Sequence, residues 1–193
     1  GYRLIVAIAD VAYYVQHGRA LDDEAQRRGN STYFPDRVVP MLPEALSNDL
    51  CSLRPDEDRA CLAVHMWIDS AGELKKYKFV RGLMRSPARL TYEQVQEMRD
   101  SSSSRRRPGS SDSTEKDPGL RRDDGLLDSI IHPLYEAYAI LDAARQKRGA
   151  LDLDLPERQT LIDAKGHMIG VKKRARYYSH KLIEEFTVLA NVS

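Results

Sequence analysis

Cysteine is scarce. The 193 residues hold two, Cys51 and Cys61, which give neither a disulfide framework nor a metal-ligand spacing. They read as two half-buried thiols in a reducing compartment. An excess of charge of either sign is also missing, since 30 Lys plus Arg face 29 Asp plus Glu. No global field therefore announces a nucleic-acid or acidic partner, and any such site has to be local. The balance persists by segment, with 14 basic against 15 acidic residues in 1–100, six against five in 101–124 and ten against nine in 125–193. No apolar run approaches the roughly 18 residues of a membrane span, and no signal pattern opens the chain. The expectation is a soluble, cytoplasmic protein without a membrane partner. Nucleophile elbow, Gly-rich phosphate loop and zinc spacing are all absent. The histidines, His17, His65, His132, His167 and His180, share no spacing that would bring two to one metal.

What is present suffices for a core: 41% hydrophobic residues, although 31% charged residues and a mean hydropathy of −0.54 place the chain at the polar end of globular composition. Gly1 leads directly into the strand-like run Leu4 to Ala9, and Ala190-Asn191-Val192-Ser193 follows at once on a helical pattern. A piece of a longer protein is expected. Composition changes at Ser101: from Ser101 to Asp124, seven Ser, two Pro, two Gly and eleven charges accompany one large apolar residue, Leu120. Such a stretch buries too little surface to offset its ordering entropy, so it reads as a flexible insert between 1–100 and 125–193.

Before the insert most signals are strands. The continuous apolar run Leu4 to Ala9 predicts a strand buried on both faces and central in its sheet. Ala20 to Arg28 predicts a helix stopped by Gly29, and Pro43 to Leu50 another opened by proline. Cys61 to Ile68 and Leu74 to Val80 form a hairpin pattern around Ser70-Ala71-Gly72, and a further strand is expected from Leu83 to Leu90. Thr91 with Gln94 makes a capping box. After the insert, Leu127, Ile130, Ile131, Leu134, Tyr138 and Leu141 share one helical face that ends at Arg148-Gly149. A hairpin over Gln159 to Asp163 and His167 to Val171 follows, then an amphipathic helix from about Ser179 to Ala190. Strands and helices mix without a regular βαβ rhythm, which predicts an α+β fold.

Several residues carry candidate chemistry. Asp10 stands where a strand ends, a place that suits a metal or substrate ligand, or equally a cap for the turn that follows. Tyr33, in Ser31-Thr32-Tyr33-Phe34-Pro35, is an aromatic on a proline-punctuated loop, fit either for stacking on a base or for anchoring the core. Glu184 and Glu185 are adjacent, so on a helix they diverge by roughly 100 degrees and at most one faces a site. The cluster Lys172, Lys173, Arg174 and Arg176 beside Tyr177-Tyr178 suits phosphate contacts or a solvated hairpin edge. The run Arg105-Arg106-Arg107, in the insert, suits RNA phosphate contacts or plain solvation in a disordered loop.

The ordered series Ile8-Ala9-Asp10-Val11, Tyr33-Phe34-Pro35, Val39-Pro40-Met41-Leu42-Pro43-Glu44, Leu46-Ser47-Asn48, Arg148-Gly149-Ala150-Leu151-Asp152 and His180-Lys181-Leu182-Ile183-Glu184-Glu185-Phe186 closely resembles the catalytic RNB domain of the ribonuclease R and ribonuclease II family. It is closer to ribonuclease R and extends over nearly the whole chain except the insert. The resemblance implies a mixed, largely antiparallel sheet flanked by helices. It also implies a parent protein that is a 3′-to-5′ exoribonuclease, acting as a monomer on single-stranded RNA and releasing nucleoside 5′-monophosphates processively with Mg2+. In this family the metal is held by a cluster of aspartates that precedes the strand ending at Asp10, so no catalytic or metal-binding residue is expected within these 193 positions. By the same resemblance, Tyr33 corresponds to a tyrosine that stacks on a base near the 3′ end and helps set final product length. Glu184 corresponds to a glutamate that contacts the terminal nucleotides through ribose hydroxyls. Leu153 stands where some members place an aromatic clamp, and an aliphatic residue there argues against clamping from that side. Tyr177-Tyr178-Ser179 and the Ser-rich insert depart from the family pattern. A non-catalytic RNA-binding or scaffold protein descended from the nuclease is the alternative.

Overall fold

In a computed structural model the described residues are 1–105, 124–151 and 157–193. The chain begins with strand β1 (Tyr2–Ala9), followed by a single turn of helix, α1 (Val11–Tyr14), and by α2 (Ala20–Arg28). A two-residue ribbon of β2 (Thr32–Tyr33) and β3 (Val38–Val39) leads to a π-helical turn over Ala45–Leu50. Next come the long strands β4 (Asp58–Ile68) and β5 (Leu74–Arg85), then helices α3 (Tyr92–Arg105) and α4 (Asp124–Lys147). The hairpin β6 (Arg158–Ile162) and β7 (Met168–Lys173) precedes the final helix, α5 (Tyr178–Asn191).

Strands β1, β4 and β5 form one antiparallel sheet with β4 in the middle. The expectation that β1 would be central is thereby corrected: it pairs only with β4 and is an edge of the described sheet. A continuous apolar run does not by itself report burial on both faces, because the pleat still alternates the side chains. Leu4 goes inward, while Ile5 on the other face stays 56% exposed; Ile8, on the face of Leu4 but outside the core cluster, is 57% exposed. The central strand is instead β4, whose Met66 is fully buried.

The separate strand expected over Leu83 to Leu90 is also corrected. Gly82 does not interrupt β5; it pairs opposite Cys61, and the strand continues to Arg85 before Ser86-Pro87 ends it. The capping box forms as expected, with Gln94 N donating to Thr91 Oγ1 at 3.2 Å and Thr91 N donating to Gln94 Oε1 at 2.8 Å. Helix α3 then continues five residues into the stretch read as insert, since serine is only mildly unfavourable in a helix that is already started. The remainder of that stretch, 106–123 and with it Arg106-Arg107, lies outside the described residues.

One core joins the sheet to two helices. Leu4, Val64, Met66 and Ile68 meet Ala137, Tyr138 and Leu141 of α4 and Leu182 and Phe186 of α5. A smaller cluster, Ala25, Leu42 and Leu46 with Tyr14, Leu21 and Met41 against it, holds α2 to the Pro40–Pro43 segment. The β4–β5 turn comes up against α4. Gly72 there has φ +80°, and a Cβ on it would lie 2.9 Å from the Ile140 carbonyl oxygen and 3.0 Å from the Ala144 methyl.

The two hairpin turns each use one aspartate as a clasp. Asp69 accepts from the backbone N–H groups of Glu73 and Ala71 at 3.0 and 2.8 Å, and Asp163 from those of His167 and Lys165 at 2.8 Å each. These bonds favour the ionised carboxylate and hold both groups below the usual aspartate range.

Two outcomes follow for stability. Gly72→Ala combines an unfavourable φ with contact against backbone, so it should lower unfolding free energy by more than about 1 kcal/mol, read by denaturant melts. Because the folded-state values of Asp69 and Asp163 are depressed, their contribution is complete above the unfolded value near ~3.9 and is lost as pH falls through the folded values. The double variant Asp69→Asn, Asp163→Asn should therefore lose less Tm than the parent on acidification below about pH 4.

Candidate RNA-contacting surface

Asp10 resolves in favour of the cap. Its side chain accepts from the backbone N–H of Tyr13 at 3.2 Å, opening α1, and Arg81 Nε of β5 lies 2.9 Å from its other oxygen. The carboxylate is buried, and the guanidinium 71 residues away supplies its countercharge. Nearby, burial first and the Asp10 charge second push the Cys51 thiol above its ordinary pKa.

Tyr33 is no core anchor. Its ring is 78% exposed at the end of β2, which makes it one of the most solvent-presented large hydrophobic side chains among the described residues. The support beneath it is firm. Phe34 N donates to Arg37 O at 2.8 Å, Arg37 lies 4.8 Å over the Phe34 ring, and Met41 N donates to Ser31 Oγ at 2.9 Å. Arg28 of α2, itself paired to Glu24, donates to Pro40 O at 3.0 Å. A short ribbon pinned on both sides thus holds an aromatic face toward solvent.

The adjacent glutamates of α5 diverge as their spacing requires. Glu185 turns inward, buried against Arg145 of α4 at 3.2 Å. Glu184 turns outward, and one of its oxygens accepts from Arg176 Nη2 at 3.0 Å. The basic cluster ahead of α5 is thereby partly engaged: Arg176 with Glu184, Arg174 with Glu157 at 3.4 Å, and Lys172 and Lys173 exposed on β7.

The start of α5 is fixed by stacked rings. His180 lies 4.0 Å from Tyr92 and 5.6 Å from Tyr177, nearly parallel to both, and its Nδ1 accepts from the Tyr177 backbone N–H at 3.1 Å. Ser179 Oγ donates to Tyr92 O at 2.8 Å, and Arg99 sits 4.0 Å over the Tyr178 ring. These contacts bind the first turns of α3 and α5 together and so set the azimuth of Glu184. Sequence spacing gave no sign of Arg81, Arg145 or Arg99, whose partners lie 40 or more residues away or depend on helix packing.

Tyr33 and Glu184 therefore stand on separate supports, the ribbon by the small cluster and the helix over the main core. Leu153 lies outside the described residues. Also among the described residues, no three His, Cys, Asp or Glu side chains converge to hold a metal ion, so no chemical step is assigned to an ion here.

The sequence pattern of the family described as the RNB domain matches residues 1–193 in full. The chain belongs to the RNB domain family. The RNB domain of this chain is 42% identical over 193 residues to ribonuclease R of Vibrio cholerae and 41% identical to ribonuclease R of Escherichia coli. Each alignment covers 100% of this chain and 22% of the relative, so the chain spans about a fifth of the length of the curated proteins it matches. Among solved structures, Mycoplasma genitalium RNase R in complex with ribose-methylated single-stranded RNA superposes with a TM-score of 0.81 and 31% identity, over 99% of this chain and 27% of that one. The α+β architecture of antiparallel strands and flanking helices is the one seen there. No helix among the described residues is long and apolar enough to cross a membrane.

The inward and outward glutamates are expected to separate by experiment. Arg145→Ala strands the buried Glu185 carboxylate and should cost about 3 kcal/mol of stability. Glu184→Gln, at an exposed pair, should shift stability by less than about 0.5 kcal/mol in the same denaturant melts.

Proposed function

We propose that the protein containing this RNB domain is a cytoplasmic, monomeric 3′-to-5′ exoribonuclease that hydrolyses single-stranded RNA processively to nucleoside 5′-monophosphates. In this reading residues 1–193 supply wall contacts to the RNA, while Mg2+ and its aspartate ligands belong to polypeptide outside them. The support from kinship is the identity to proteins named ribonuclease R and the likeness to a ribonuclease R bound to RNA.

The observation that carries the reading is the exposed, rigidly mounted ring of Tyr33. An aromatic held face-out in water gains from covering that face with a base, worth about 1–3 kcal/mol, and it does so without sequence preference because every base offers a π-face. A processive enzyme needs such tolerance. Mounting the ring on a pinned ribbon removes the entropy that a mobile side chain would lose on stacking. Glu184 adds the second contact. With one oxygen engaged by Arg176, the other retains lone pairs for ribose hydroxyls, the groups by which a protein tells RNA from DNA.

The test uses the full-length protein with Mg2+ and a 5′-labelled single-stranded RNA. Tyr33→Ala should lengthen the limit product by one or more nucleotides, while Tyr33→Phe, which keeps the ring, should leave it as in the parent. A product of unchanged length in Tyr33→Ala would remove the stacking role, and failure of the parent to shorten RNA from the 3′ end would remove the activity.

A further inference from the structure

The pleat of the three-stranded sheet sorts charge in a way the linear sequence hides. Leu4, Val64, Met66 and Ile68 lie under the two core helices, so the intervening positions of β1, β4 and β5 look out on the opposite face. On that face the cross-strand register sets Arg3, Trp67 and Lys76 in one row and Ile5, His65 and Lys78 in the next.

The side chains confirm the alignment. The Arg3 guanidinium carbon lies 5.4 Å and Lys76 Nζ 5.3 Å from the Trp67 ring centre, so one indole holds two cations. The His65 ring lies 6.3 Å from Trp67, and Arg3 Nη2 donates to His65 Nδ1 at 2.9 Å. Arg3, Ile5, Lys76 and Lys78 are exposed.

No strand position on this face is a carboxylate. Lys75, set aside by the register shift between Trp67 and Ile68, shows the contrast: it is held by Asp69 at 3.0 Å and by Glu73. Neither Lys76 nor Lys78 has a carboxylate partner among the described residues. Lysines normally gather counter-charges on a mixed surface, and here the indole holds Lys76 with no carboxylate partner beside it. Around Trp67 the near-neutral chain therefore presents a cationic, partly aromatic patch, on the side of the sheet away from the helix that bears Glu184. At the far end of β4 the outward Arg59 is instead held by Asp49 and Glu57.

We propose that this outer sheet face, centred on Arg3, Trp67, Lys76 and Lys78, binds the phosphate backbone of single-stranded RNA as a further contact beyond Tyr33 and Glu184. The proposal rests on the reading of the protein as an RNA-degrading enzyme. It adds affinity for substrate without touching the reacting bond, so its loss raises KM and leaves kcat unchanged.

The experiment is lysine acetylation of the full-length protein, mapped by mass spectrometry, with and without a long 2′-O-methyl single-stranded RNA as a binding probe. Lys76 and Lys78 should react freely in the absence of RNA and be protected in its presence, with Lys165 on the turn of the separate β6–β7 sheet as an unprotected control. In parallel, K76E/K78E should raise KM for long single-stranded RNA about tenfold. The neutral pair K76Q/K78Q should lower the slope of log affinity against log salt by roughly 1.4, the value for two lost phosphate contacts on a single strand. Reactivity that RNA does not change overturns the proposal, and so does a lack of reactivity without RNA, which would mean that other polypeptide covers the face. A parent protein that binds the probe but does not hydrolyse RNA would defeat the enzymatic reading while leaving the footprint to judge this surface.

Discussion

Everything else in the molecule depends on the double pairing of β4. All eleven of its residues pair with β5 and those from Cys61 to Ile68 also pair with β1, and this two-sided register fixes which way its side chains point. Because the pleat has a period of two, a slip by one residue would exchange Val64, Met66 and Ile68 for His65 and Trp67 beneath the helices. The burial of Met66 against α4 and α5 is what holds the register, and the register in turn displays the cationic row on the other side. Core and outer surface are thus two consequences of one alignment.

The helices add orientation to that frame. Leu182 and Phe186 anchor α5 on the sheet, Glu185 is neutralised by Arg145, and the Tyr92–His180–Tyr177 stack fixes the helix start against α3. With three separate constraints the helix has little freedom to rotate, and Glu184 is presented outward as a result. At the other end of the sheet, Asp10 closes β1 into α1 and is balanced by Arg81, which ties the segment leading to Tyr33 onto β5. A carboxylate placed where an enzyme often keeps a ligand here performs a capping task, and its buried charge is matched by a single guanidinium.

Much of this was legible in advance. The helix over Ala20–Arg28 with its glycine stop, the capping box at Thr91 and Gln94, both hairpins and the last helix all carry local signals, since turn residues, caps and periodicity act over a few positions. The ordered motifs identified the RNB family from the same residues. The misreadings were of tertiary origin. The apolar run of β1 was taken for a central strand, although burial depends on what lies on each side. A further strand is expected over Leu83 to Leu90, although pairing with β4 carries β5 without interruption from Leu74 to Arg85.

By itself, then, the sequence determined most of the longer elements, their order, the family and the identity of Tyr33 and Glu184 as residues of interest, because each of these is written in neighbouring positions. Only the tertiary structure decided that Asp10 is a cap with Arg81 as its counter-ion, that Glu185 rather than Glu184 is buried, and that Arg3, Trp67 and Lys76 share one row. Those facts join residues tens of positions apart, and the register of β4 and the packing of α4 and α5 bring them together; no local pattern encodes such a meeting.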